Sequence, residues 1–178
     1  MYKVGDKVVY PHHGAGKVVK KEVREVLGEK REYLTIQILH NDMTVNVPSE
    51  NAEKVGLRSV IDEKMVGEVV EALTGNGTVM PKNWNRRFKH NRDKMKTGNI
   101  FELAEVVRNL AVRNNEKGLS TGEKQMFVKA KKILASELMY AKEMDEEEAA
   151  AWLDDVLSRA GQTKPKSRAK PKAAAASA

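Results

Sequence analysis

Through the first 57 residues, apolar and polar positions alternate in short β-branched runs at residues 7–10, 17–26, 32–39 and 44–47. Alternation of this kind turns one side of each run toward a core and the other toward water, as in half-buried strands. Turn-forming stretches separate the runs at residues 11–16 and 27–30 and at Asn41-Asp42, a dipeptide suited to a tight hairpin. Four or five short strands are too few for two packed sheets, so the pattern predicts a small curled barrel.

From Ser59 the apolar spacing becomes helical. Ser59 with Asp62 resembles a capping box, followed by Ile61, Met65, Val69 and Ala72 until Gly75-Asn76-Gly77 stops the helix. A short helix is predicted over residues 83–96, capped by Asn83 and ended by Gly98. A third starts at Asn99, buries Leu103, Val107, Leu110 and Ala111, and ends near Gly118. Ser120 with Glu123 is a stronger capping box, opening a long helix with Phe127, Ala130, Leu134, Leu138 and Ala141 on one face. Asp145 caps a last helix through Trp152, Leu153, Val156 and Leu157, closed by Gly161. The fold class is therefore α+β: a small β-barrel over residues 1–57, then a bundle of about five helices over 58–161. Residues 162–178, rich in Pro, Lys and Ala, are expected to form a disordered basic tail. Segregation of sheet from helices excludes a doubly wound nucleotide-binding fold.

Composition narrows the chemistry. The 178 residues contain no cysteine, which removes disulfides, iron–sulfur clusters, thiolate zinc sites and cysteine nucleophiles together. No apolar run approaches the ~18 residues of a membrane span, and the N-terminus lacks the apolar core of a signal peptide, so a cytoplasmic location is expected. The net charge of +7 is concentrated in two places: the tail, and residues 82–96, where seven Lys and Arg face the single Asp93. A patch of this kind is an electrostatic footprint for a polyanion, and a solvated helix face has the same composition.

Convergent catalytic groups are scarce. His12 and His13 are adjacent and point apart if extended, while His40 and His90 lie in different modules without a metal-binding spacing. No metal or cofactor is expected, and no enzymatic activity. His13-Gly14-Ala15-Gly16 lacks the rest of a phosphate-binding loop and reads as a strand-connecting turn, and Glu146, Glu147 and Glu148 suit the positive end of a helix dipole. Trp84 admits two readings. It shares a helical stripe with Phe88 and Met95, as a core residue would; it is also framed by Arg86, Arg87 and Lys89, as an apolar wedge at a distorted base step would be.

Several long segments, KVGDKVVYPHHGAGKV, EYLTIQI, MTVNVPSENAEKVGLR, PKNWNRRFKHNRDKMKTGN and GLSTGEKQM, resemble in order the CarD/CdnL family of bacterial transcription factors, over residues 2 to about 160. The resemblance implies a Tudor-like RNA polymerase interaction domain, shared with the transcription-repair coupling factor, followed by a helical DNA-contacting domain. It implies a monomeric, nucleoid-associated regulator that binds the polymerase β subunit and holds the promoter open complex without reading sequence. By motif, Trp84 corresponds to a tryptophan wedged at the upstream edge of the bubble, with Arg86, Lys89 and Lys124 as its basic companions and Arg87 in the same basic run. Arg24 falls where family members contact polymerase. Asn46 stands where members carry arginine, between Val45 and Val47 of a strand whose backbone can pair with a partner. The competing expectation is a nucleoid-type DNA-binding protein that acts without polymerase.

Overall fold

The computed structural model describes residues 1–161; the expected basic tail at 162–178 lies outside the described residues. Five antiparallel strands form one sheet: β1 (Lys7–Tyr10), β2 (Gly14–Val26), β3 (Glu29–Ile38), β4 (Thr44–Pro48) and β5 (Arg58–Ser59), in the order β4-β3-β2-β1-β5. Five helices follow, α1 (Glu63–Thr74), α2 (Trp84–Lys96), α3 (Ile100–Glu116), α4 (Thr121–Ala141) and α5 (Glu146–Leu157). The α+β order, a small β module followed by five helices, stands as expected.

The sheet closes over Val8, Val18, Leu34, Ile36, Ile38, Val47 and Leu57, its inward positions. Strand β3 starts earlier than the pattern suggested, because Leu27 and Gly28 make a two-residue turn with φ of 53° and 81°, and Glu29 already pairs with Val26. The sheet also extends beyond residue 57. Val8 pairs with Ser59 and Val9 with Arg58, so Ser59 is a strand residue and cannot cap a helix. Asp62 takes that role, its side chain accepting from the Met65 amide at 2.9 Å. Starting α1 at Glu63 places Val66, Val69 and Leu73 on its buried stripe and leaves Met65 and Ala72 at the flank.

In the helical module α3 lies at the centre, against α1, α2 and α4, and α4 also packs on α5. The caps at Asn83, Asn99, Ser120 and Asp145 fall where the sequence placed them. At Asp145 the box is reciprocal, with Glu148 reaching back to the cap amide; at Ser120 it is one-sided, because the Glu123 carboxylate turns inward.

Two joints between sheet and bundle involve buried groups of α4. The glycine-containing segment after His13 is a landing strip for α4: the Ala15 amide donates to Ser136 Oγ at 2.9 Å, and a side chain at Gly14 would meet that oxygen at 2.8 Å. Only the absence of a Cβ lets the helix come this close. The second joint is Arg58. Its Nη1 and Nη2 donate to the two Glu137 carboxylate oxygens, each at 2.7 Å, and its Nε donates to the Gly98 carbonyl, also at 2.7 Å. Glu137, 2% exposed, also accepts from the Ile61 amide at 2.9 Å. One buried carboxylate of α4 thus binds both the last strand and the chain leaving it. Replacing it would take the counter-charge from the guanidinium and the acceptor from the Ile61 amide. Glu137→Ala is expected to destabilise the protein by about 3 kcal/mol, read as a lowered urea midpoint at unchanged slope, whereas a change below about 1 kcal/mol would show that the joint is incidental.

Candidate nucleic-acid interface

Two helix N-termini meet at the candidate site. Helix α2 opens with Trp84 behind its cap Asn83, and α4 opens behind Ser120. The indole lies between them. Its ring stacks on Phe88, one turn along α2, with centroids 4.9 Å apart and planes inclined by 18°. Its Nε1 donates to Ser120 Oγ at 2.8 Å, and a Cβ on Gly122 would come within 3.3 Å of the ring. Gly122 is therefore the floor on which the indole rests. Held on three sides, Trp84 remains 40% exposed. Neither sequence reading was complete: Trp84 is attached to the bundle through Phe88 and still offers ring surface to solvent.

Beneath the indole lies a buried ion pair. Arg87 (4% exposed) donates to Glu123 (2% exposed) through Nε at 3.0 Å and Nη2 at 3.2 Å, and its Nη1 donates to the carbonyls of Pro81 and Lys82. Arg113 approaches the same carboxylate at 3.7 Å. This corrects the sequence expectation for Arg87: its guanidinium is consumed inside the protein and is not presented to a phosphate. Arg86, Lys89 and Lys124 are exposed, as an anion-contacting role requires. Within residues 82–96, Lys94 pairs with Glu105, and Lys82, Arg86, Lys89, Arg92 and Lys96 have no ion pair among the described residues. Ser120, Gly122 and Glu123 are further parts of the site, and none of them is basic or aromatic. The available signal was Gly122 itself, a poor helix former in the first turn of a long helix, which marks a close approach by another group.

The expected protein-contacting residues lie on the sheet. Arg24 faces Arg31 across the β2–β3 ladder, and Asn46 faces Thr35 across β3–β4. Paired residues share a face and alternate ones repeat it, so Arg24, Tyr33, Thr35 and Asn46 occupy the same open side. Arg24 pairs with Glu22 and stands 5.7 Å from the Tyr33 ring centre; Thr35 Oγ1 donates to Asn46 Oδ1 at 2.8 Å. Val45 and Val47 face the other way, opposite Ile36 and Leu34, and Val47 is only 2% exposed. Their side chains serve the core, and what they can offer a partner is the backbone of β4, a terminal strand.

His12 and His40 make polar contacts within the protein. His40 Nε2 is 2.6 Å from the His13 carbonyl oxygen, and Lys129 Nζ lies 2.8 Å from His12 Nε2. Burial and then the neighbouring Lys129 charge lower the His12 pKa, keeping the ring neutral and able to accept from the lysine. Among the described residues no group of three or more potential ligands is placed to hold a metal, and no helix is long and apolar enough to cross a membrane.

Residues 2–61 match the CarD-like/TRCF RID domain, and residues 68–154 match the CarD C-terminal domain. Over 148 residues the chain is 36% identical to YdeB of Bacillus subtilis (strain 168), named as a candidate transcription factor, covering 83% of this chain and 97% of that one. The chain belongs to the CarD family. A solution NMR structure of the 72-residue N-terminal domain of Myxococcus xanthus CarD is similar over 33% of this chain and 79% of that one, with 34% identity and a TM-score of 0.30. Membership of the CarD family makes the protein a transcription regulator.

In this CarD-family chain the frame of the indole carries its own pH signature. Burial would raise the Glu123 carboxyl pKa, yet hydrogen bonding and charge from Arg87, with Ser120 and Arg113, hold it below the usual carboxylate range. A depressed carboxylate pKa contributes stability that is complete above the ordinary value, 4.5 for Glu, and is lost as pH falls through the lower folded value. Glu123→Gln is therefore expected to cost about 3 kcal/mol at neutral pH, with the gap from wild type shrinking below pH 4.5. Melting curves of both proteins from pH 7 to pH 3 check this; a gap that stays constant with pH would remove the ion pair as its cause.

Proposed function

We propose that this CarD-family regulator binds the β subunit of RNA polymerase through its sheet module and stabilises the promoter open complex by setting Trp84 against the upstream edge of the bubble. The observation that carries this reading is the half-exposed indole, fixed by Phe88, Ser120 and Gly122 at the start of two helices that carry the exposed Arg86, Lys89 and Lys124. Such a group combines an apolar surface for an unstacked base with charges for the flanking phosphates.

The energetics favour open DNA. Inserting a ring into a paired step costs a few kcal/mol of unstacking, and at a melted fork that cost has already been met. The indole therefore has higher affinity for the open state, and only such a difference can shift the equilibrium. Arg86, Lys89 and Lys124 add affinity without reading bases, because phosphates carry no sequence information.

The sheet module supplies the anchor. Similarity to a domain shared with the transcription-repair coupling factor supports polymerase as its partner. An edge strand pairs with a partner's strand through main-chain groups, which needs no particular side chain at Val45 or Val47. With Asn46 in place of the family's arginine, the cations of this face are Lys20, Arg24 and Arg31, each paired with a glutamate of its own strand.

Stacking of a base on an aromatic side chain is worth about 1–3 kcal/mol, and each 1.4 kcal/mol is about tenfold in an equilibrium. Trp84→Ala is thus expected to shorten open-complex lifetime about five- to hundredfold while leaving polymerase binding intact. An unchanged lifetime in the folded variant defeats the wedge. Arg24→Glu is expected to do the reverse, weakening capture by core polymerase without altering affinity for forked DNA. Undiminished capture would remove Arg24 from the contact. A protein whose DNA affinity fully accounts for its effect without polymerase would instead be the nucleoid-type binder.

A further inference from the structure

Helix α4 contains two carboxylates, and both are spent internally: Glu123 on Arg87 and Glu137 on Arg58, each 2% exposed. Its four lysines all reach the surface. Lys131 is paired with Asp154 at 3.1 Å, whereas Lys124, Lys129 and Lys132 have no acidic partner among the described residues. The outer side of the helix is therefore positive because its negative charges have been drawn inward. These three lysines line one side of an open groove of about 550 Å³, whose other side is His40 and Asn41 of the turn between β3 and β4. No carboxylate lines it; Asp42 follows immediately in the turn, and Glu146 and Asp154 lie in the neighbouring cleft beyond Lys132. Lys129 is positioned at its base by His12 Nε2, 2.8 Å away.

The dimensions suit a nucleic-acid backbone. Lys124 and Lys132 are eight residues apart, hence about 12 Å along the helix, and one strand of duplex DNA carries about three or four phosphates over that length. The groove starts two residues past Gly122, where the indole rests, and leads away from it toward the sheet. We propose that it seats the phosphate backbone of double-stranded DNA, so that the duplex flanking Trp84 continues along α4 and crosses from the helical module onto the β3–β4 turn. This rests on the reading that the Trp84 end of the protein faces DNA. It adds Lys129, Lys132 and a piece of the sheet module to the contact.

The test uses the full chain carrying Lys129→Gln and Lys132→Gln, with Trp84 and Lys124 untouched. Binding to a blunt 30-base-pair duplex and to the same duplex with a forked end is titrated between 50 and 200 mM salt. Each phosphate contact contributes about 0.9 to the slope of log affinity against log salt. Losing two should flatten the slope by about 1.8, so that the advantage of wild type shrinks about 12-fold across that range, equally for both DNAs. Lys129→Arg with Lys132→Arg should keep the wild-type slope, which separates charge from disturbance of the His12 contact. Trp84→Ala should behave oppositely, losing fork preference at unchanged slope, so failure of the wedge and failure of the groove are distinguishable. An unchanged slope in the Gln variant overturns the proposal. So does weakened capture by core polymerase with the duplex slope intact, which would assign the groove to an acidic protein surface.

Discussion

Arg87 and Glu123 meet inside the bundle at 4% and 2% exposure, and the positions of the surrounding groups depend on their meeting. A buried pair is costly to desolvate and becomes tolerable only when its remaining hydrogen-bonding capacity is used. Here it is used on all sides. The guanidinium reaches two carboxylate oxygens and two loop carbonyls, while Ser120 and Arg113 approach the carboxylate from beyond. The pair therefore fixes three pieces of chain to one another: the loop before α2, α2 itself and the first turn of α4. The indole sits where they meet. A hydrophobic contact of equal area would hold the helices together without selecting one rotation of α2, because apolar packing lacks direction. A bidentate guanidinium–carboxylate contact selects one.

The same helix repeats the device at its other end. Glu123 and Glu137 stand fourteen residues apart on α4, about 21 Å, one holding the end that carries Trp84 and the other holding β5 through Arg58. Together with the Ala15–Ser136 contact this makes α4 a strut between the two modules. The functional value of a strut is preorganisation. Were one module tethered to polymerase, as proposed, the indole would be presented at high effective concentration, provided the connection is stiff enough to aim it. Weak, sequence-blind contacts would then suffice at the Trp84 end, because the tether would supply the location.

Much of this was legible in the sequence, and the unread part has a common cause. Helix starts were readable because capping is local: an Asn, Ser or Asp side chain reaches amides two or three residues on, so the signal and its effect lie within one turn. Strand faces were readable because alternation is local too, and Leu34, Ile36 and Ile38 are buried as the period requires. The errors were long-range. Arg87 looked like its neighbours Arg86 and Lys89, and nothing nearby distinguishes it; its partner is 36 residues away. Ser59 has the local spacing of a helix cap, while its strand partner, Val8, is 51 residues upstream. Glu123 had the spacing of a capping box, yet its carboxylate was drawn off by the same remote arginine. Charge sequence gives composition, and only the fold decides which charges are spent on one another.

That distinction bears on why the candidate contact would be indifferent to base sequence. Indole has one polar group, a donor, and no acceptor. In this protein Ser120 Oγ already accepts from it at 2.8 Å, so the part of Trp84 left to a partner is apolar ring. A ring without a free hydrogen-bonding group can stack on any base, since each has a π-face, and can recognise the edge of none. Exposed lysines and arginines on the same helices would address phosphates, which are alike at every step. Ser120 thus does more than cap α4. By occupying the indole N–H it would turn a side chain capable of hydrogen-bonding to bases into one that responds only to whether a base step is open, the property a general regulator of promoter melting needs.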